Sequence, residues 1–190
     1  MVQSAPKFLT LDEFLQRPET EPATEFIDGE LIQKPMPQGK HSKLQGRLTA
    51  VINAVAESQS RALALPELRC TFGDRSIIPD IAVFTWSRLP LDADGEVANT
   101  FTAAPDWTIE ILSPEQNQTK VTSNILHCLK FGCQMGWLID PAMKAVFVYP
   151  AQQQPEIFPL SQQKLPIPEF VGDWQLSVDE LFAWLRPGSA

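Results

Sequence analysis

The fold turns on Pro105-Asp106-Trp107-Thr108-Ile109-Glu110-Ile111-Leu112-Ser113. The run is rich in β-branched and aromatic residues, so Trp107 to Leu112 reads as a strand, closed by Ser113-Pro114. Side chains alternate along a strand. Trp107, Ile109 and Ile111 therefore share a face fit for burial under a helix, and Thr108, Glu110 and Leu112 share the other. A carboxylate inside such an apolar run needs a partner, because an unpaired buried charge is costly. Upstream, Ser76-Ile77-Ile78-Pro79-Asp80-Ile81-Ala82-Val83-Phe84 has the same character. It predicts a strand over Ile78 to Thr85 with Asp80 inside it. If these strands are neighbours, Asp80 and Glu110 can converge on one hard cation. Mg²⁺ (or Mn²⁺) suits a pair of carboxylates completed by water and substrate phosphate.

Outward from this pair, Thr10 and Glu13 form a capping box that opens a short helix through about Arg17. Asp28-Gly29 between apolar runs predicts a hairpin. Leu44, Leu48, Val51, Ile52 and Val55 recur at helical spacing, so a long helix is expected from about Lys40 to Ser58. Strands follow at 62–65 and 68–72, with a turn at Gly73-Asp74. The polar stretch from Ser87 to Ala104 reads as a lid, an interface or a disordered loop. A second helix is expected from Thr119 to Phe131, ended by Gly132. A hairpin of 135–140 with 145–149, an edge strand at Ile157-Phe158 and a capped helix from Ser177 to Leu185 complete the chain. The order implies one mixed α/β (α+β) domain over 1–190. Its largely antiparallel sheet is flanked by helices, with an N-terminal helix and β-hairpin. The core lies at about 9–149, and 150–190 is a C-terminal extension.

With 190 residues, 44% of them hydrophobic, the chain can bury a full core. No apolar run approaches the ~18 residues of a membrane span. Met1 to Lys7 carry no apolar signal core, which predicts a cytoplasmic protein. Three cysteines without a CxxC pair argue against a disulfide framework, and two histidines against structural zinc. The net charge of −8, from 23 acids against 15 bases, counts against a nucleic-acid partner. A metal site contributes some of that charge, and a homodimer can gather a few bases into one groove.

Pro79-Asp80 followed by Glu110-Ile111-Leu112 resembles the PD-(D/E)xK pattern of nucleases. Glu25 to Glu30, His41, Pro79-Asp80, Glu110 to Pro114 and Gly136 to Pro141, in that order, resemble the Uma family of restriction-endonuclease-like proteins. The resemblance spans about Leu9 to Tyr149. It implies a restriction-endonuclease-like fold, a divalent metal and endonuclease activity on DNA. Asp80 and Glu110 would hold the metal, with the Ile111 carbonyl as a further ligand and Glu25 as a third acid. One position departs from the pattern: where the motif has lysine, this chain has Leu112. Either the site is inactive or another cation has taken the place. Lys120, in the first turn of the following helix, is the expected substitute, with Asn124 and His127 on the same polar stripe. His41, at a helix start, is expected as a surface or capping residue more than as a base. Asp106, Asp28 and Asp140 read as structural, Trp107 and Trp137 as core, and the cysteines as buried and inert. Two rivals remain: a catalytically inactive nuclease-like module that binds protein or nucleic acid, and a glycoside hydrolase using the acids as an acid/base pair.

Overall fold

The structure is a computed structural model that describes residues 9–114 and 116–188. Met1 to Lys7, the basis of the signal-segment reading, lie outside it. The chain runs α1 (Leu11–Leu15), β1 (Thr24–Ile27), β2 (Glu30–Gln33), α2 (Gly39–Ala56), β3 (Ala62–Pro66), β4 (Cys70–Phe72), β5 (Arg75–Ile77) and β6 (Ile81–Thr85). It continues with β7 (Trp107–Ile111), α3 (Gln118–Lys130), β8 (Met135–Asp140), β9 (Ala145–Pro150), β10 (Glu156–Pro159) and α4 (Val178–Ala183). Both expected capping boxes form, at Thr10/Glu13 and Ser177/Glu180. Asp28 and Gly29 turn the β1–β2 hairpin with positive φ at both residues, as a tight two-residue turn requires.

Six strands in the order β10-β9-β8-β7-β6-β3 form the main sheet. Every pairing in it is antiparallel except β7 with β8, which α3 joins as a crossover. A smaller sheet, β2-β1-β5-β4, packs beside it. Alternation sorts the main sheet cleanly. Trp107, Ile109, Ile111, Ile81, Val83, Trp137 and Ile139 face Leu44, Leu48 and Ile52 of α2, and the segment 165–184 covers the same side. Ala82 and Phe84 face the smaller sheet, while Leu138 faces Val121 and Ile125 of α3. Residues of β7 with even numbers thus point toward α3 and the hairpin.

Two expectations need correction. The strand containing Asp80 begins only at Ile81. Pro79 lacks an N–H and restricts Ile78, so Ile78-Pro79-Asp80 leaves the ladder and carries the chain from the small sheet to the large one. The segment from Ser87 to Ala104 is anchored at both ends rather than disordered. Phe101 bridges to Cys70 and packs on Phe84 at 5.0 Å between ring centroids, and Leu89 and Ala104 are buried with it.

Candidate active site

Antiparallel pairing of β6 with β7 matches Ile81 to Ile109, so Asp80 falls opposite Glu110 at one end of the sheet. Asp80 Oδ2 accepts the Ile111 N–H at 2.7 Å. A strand residue presents its N–H and C=O on the same side, so the Ile111 carbonyl also lies on the Asp80 side. Asp80 Oδ1 accepts from Lys34 Nζ at 2.7 Å. The same ammonium donates to the Ile78 carbonyl at 2.6 Å and stands 3.4 Å from Glu67 Oε2. Glu25 Oε1 accepts the Ile78 N–H at 2.7 Å, and its Oε2 accepts from Asn124 Nδ2 at 3.4 Å. Glu25, Asp80 and Glu110 are all buried.

This crowding sets the protonation of the acids. Burial alone would raise Asp80, but the Lys34 ammonium and His41 hold it below the usual carboxylate range. Glu110 goes the other way: burial first, then the Asp80 charge, pushes it well up. Burial likewise raises Glu25 against the pull of the Ile78 N–H and Lys34. Burial would lower Lys34, yet Asp80, Glu110 and Glu67 together raise it above a free lysine. One ammonium stands among several acids, two of them pushed toward protonation, and oxygen atoms supply the donors. That donor set fits a hard divalent cation at Asp80 and Glu110.

A cavity of about 560 Å³ opens onto this cluster, lined by Glu25, Lys34, Glu110, Lys120 and Asn124 among others. Its volume is in the range of small-ligand clefts.

A family model described as "Uma2: Putative restriction endonuclease" matches residues 11–179. The chain belongs to the Uma2 family. Its match extends past Tyr149 through the C-terminal segment that covers α2. A crystal structure from Anabaena variabilis ATCC 29413, described as "a putative nuclease belonging to DUF820", is 60% identical, with a TM-score of 0.92. The alignment covers 94% of this chain and 99% of that one. The Uma2 chain thus has a restriction-endonuclease-like fold. No curated protein matches it.

Within this Uma2 chain the sequence-predicted acids Glu25 and Glu110 line one cleft, and Asp80 lies behind its wall, bonded to Lys34. Lys120 reaches the rim of that cleft, exposed, and among the described residues makes no ion pair with the acids. The ammonium that touches Asp80 belongs to Lys34, which the sequence reading missed. The signal was present: Glu25 pairs with Ile32 across the hairpin, and Lys34 follows Ile32 by one strand period. Leu112 packs with the α3 cluster. Asn124 joins the site, but His127 does not. Its Nε2 donates to the Phe72 carbonyl at 3.0 Å and its ring stacks on Phe72. His41 is not a surface residue. It is 6% exposed, with Nδ1 3.3 Å from Ser113 Oγ and Nε2 3.4 Å from Asp80 Oδ1. Asp106 is structural, accepting from Arg88 at 2.6 Å and from the Thr85 N–H at 2.8 Å. Asp140 accepts the N–H groups of Ala142 and Met143 in its turn.

Among the described residues, no helix is long and apolar enough to cross a membrane.

Proposed function

We propose that this protein is a metal-dependent endonuclease that hydrolyses phosphodiester bonds in DNA. One observation carries the reading: a lysine ammonium held against Asp80, opposite Glu110, in a cleft lined by a third acid. Asp80, Glu110 and the Ile111 carbonyl would hold Mg²⁺ (or Mn²⁺). A bound dication polarises the phosphoryl oxygen and lowers the pKa of its water.

The remaining steps belong to the chain's own side chains. Lys34 supplies the positive charge that the motif otherwise takes from the position of Leu112. From there its ammonium orients the attacking water and offsets charge that builds on the phosphate. Glu25, fixed by the Ile78 N–H and Asn124, accepts a hydrogen bond from that water. Lys120 meets an adjacent phosphate at the rim of the cleft. Cutting both strands of a duplex takes two such centres, so the acting unit is a homodimer.

The test is cleavage of supercoiled, linear and single-stranded DNA with Mg²⁺, Mn²⁺ or excess chelator. Nicking or linearisation that needs the metal, and that Asp80→Asn and Glu110→Gln both abolish, is expected. Undiminished cleavage by either variant would remove the assignment.

A further inference from the structure

Asp80 has a second set of neighbours on its α2 side. Ligand atoms of His41, Glu67 and Asp80 lie within 4.8 Å of one another. Glu25 and Glu110 do not belong to this group. Three carboxylate and imidazole groups close together are not yet a site. The deciding feature is His41 Nε2. It is buried, and no protein group within the described residues bonds it; at 3.4 Å its approach to Asp80 Oδ1 lacks hydrogen-bond alignment. A buried ring nitrogen left unbonded has lost its hydrogen bond to water without replacement. The other ring nitrogen, Nδ1, is held by Ser113 Oγ at 3.3 Å. Metal-binding histidines are arranged this way, with one nitrogen on the ion and the other fixed by a neighbouring polar group.

Glu67 and Asp80 are also held in place. Gln45 Nε2 donates to Glu67 Oε1 at 2.9 Å and to the Asp80 carbonyl at 2.8 Å. The Glu67 N–H donates to that same carbonyl at 3.2 Å. His41 also lines a cavity of about 590 Å³ that opens beside the start of α2.

We infer that His41, Glu67 and Asp80 form a second divalent-cation site, distinct from the Asp80–Glu110 pair and sharing Asp80 with it. One imidazole and two carboxylates suit Mn²⁺, Co²⁺ or Zn²⁺ better than Mg²⁺. Lys34 tunes the site. Its ammonium already contacts Asp80 Oδ1 at 2.7 Å and Glu67 Oε2 at 3.4 Å, so it opposes a dication on those carboxylates. The inference rests on the proposed function only in the sharing of Asp80; His41 and Glu67 play no part in that reading.

The experiment uses the full chain loaded with Mn²⁺. Electron spin-echo modulation reads nitrogen on the ion, and free Mn²⁺ measured by electron paramagnetic resonance gives stoichiometry. The unaltered protein is expected to bind two ions and show imidazole nitrogen coupling. His41→Gln loses the coupling and one ion, and His127→Gln keeps both. Glu67→Gln, at an exposed position, weakens that ion roughly tenfold or more. Lys34→Met tightens it. Glu110→Gln loses the other ion and keeps the coupling. Absence of nitrogen coupling in the unaltered protein, or its survival in His41→Gln, overturns the inference whatever the variants' folding. A Glu110→Gln protein that retains both ions strikes the proposed function instead and leaves this site standing.

Discussion

Lys34 Nζ lies 2.7 Å from Asp80 Oδ1, and the two residues flank strands of different sheets. Lys34 follows β2 in the small sheet, and Asp80 precedes β6 in the large one. Their contact closes the seam between the sheets at the point where the cleft opens. An ion pair this deeply buried is a poor source of net stability, because desolvation of both charges offsets their attraction. Its place beside Glu110 and Glu25 points to charge arranged for chemistry.

Replacing Lys34 with methionine separates these roles. Asp80, 1% exposed, then keeps a charge without its ammonium. Metal-free protein is expected to lose about 3–5 kcal/mol in urea unfolding. Mg²⁺ should recover part of that loss, since a dication binding only the folded state restores charge balance at Asp80. Cleavage is expected to fall by about 100- to 1,000-fold. Lys120→Ala, at an exposed position, should cost less in rate and almost nothing in stability.

Glu110→Gln should move stability and metal response in opposite directions. Burial and the Asp80 charge raise the Glu110 carboxyl well above its ordinary value. A raised acid binds more protons folded than unfolded, so its contribution to stability falls as pH rises past the unfolded value. Glutamine does not titrate. The variant is therefore expected to be more stable than the parent without metal, by a margin larger at pH 8 than at pH 5. Added Mg²⁺ should raise the parent's unfolding midpoint and leave the variant's nearly unchanged. A variant less stable than the parent at pH 8 would contradict this.

Much of this site was legible in the chain. The alternation of Trp107, Ile109 and Ile111 against Glu110 predicts which side of β7 is core and which meets the cleft, and the structure has that arrangement. Asp80 falls opposite Glu110, as neighbouring strands require, but lies outside the strand, because propensity in Ile78 to Phe84 is uniform and only Pro79 marks the break. Lys34 escaped because the reading sought a replacement lysine near Leu112 in sequence. The ammonium that touches Asp80 comes from a hairpin whose distance from β7 along the chain carries no local signal. His41 escaped for a similar reason. A histidine at a helix start between two lysines reads as exposed, and only the docking of α2 over Asp80 buries it.

Gly136 sets the distance between β8 and α3. A Cβ there would run into Ile125 Cγ2, and Ile125 is itself 1% exposed. The branched side chain has nowhere to retreat. Gly136→Ala is expected to destabilise by about 1–3 kcal/mol. By pushing α3 outward it should also move Asn124 and Lys120 from the cleft and slow cleavage. Pairing it with Ile125→Ala relieves the clash, so the double variant should lose less than the sum of the singles. Additive losses in a thermal-melt series would show that the two do not meet.

His127 should make the fold sensitive to mild acid. It is packed between Phe72 and Phe131, with ring centroids at 4.9 and 4.8 Å. Burial lowers its pKa from the ordinary 6.5, and nearby Arg75 adds to the effect against the pull of the Phe72 carbonyl. A base whose folded value is depressed binds more protons unfolded than folded between the two values, so stability rises with pH across that interval. The contribution of neutral His127 is therefore complete above about pH 6.5 and lost as pH falls toward the depressed value. His127→Gln keeps a donor for the Phe72 carbonyl and removes the titration. Urea midpoints measured from pH 8 to pH 5 should fall more steeply for the parent than for His127→Gln, with the difference confined to the region below pH 6.5. Parallel curves would mean that protonation of His127 is accommodated in the folded state. That state would then have to supply an acceptor that its stacking between two phenylalanines does not provide.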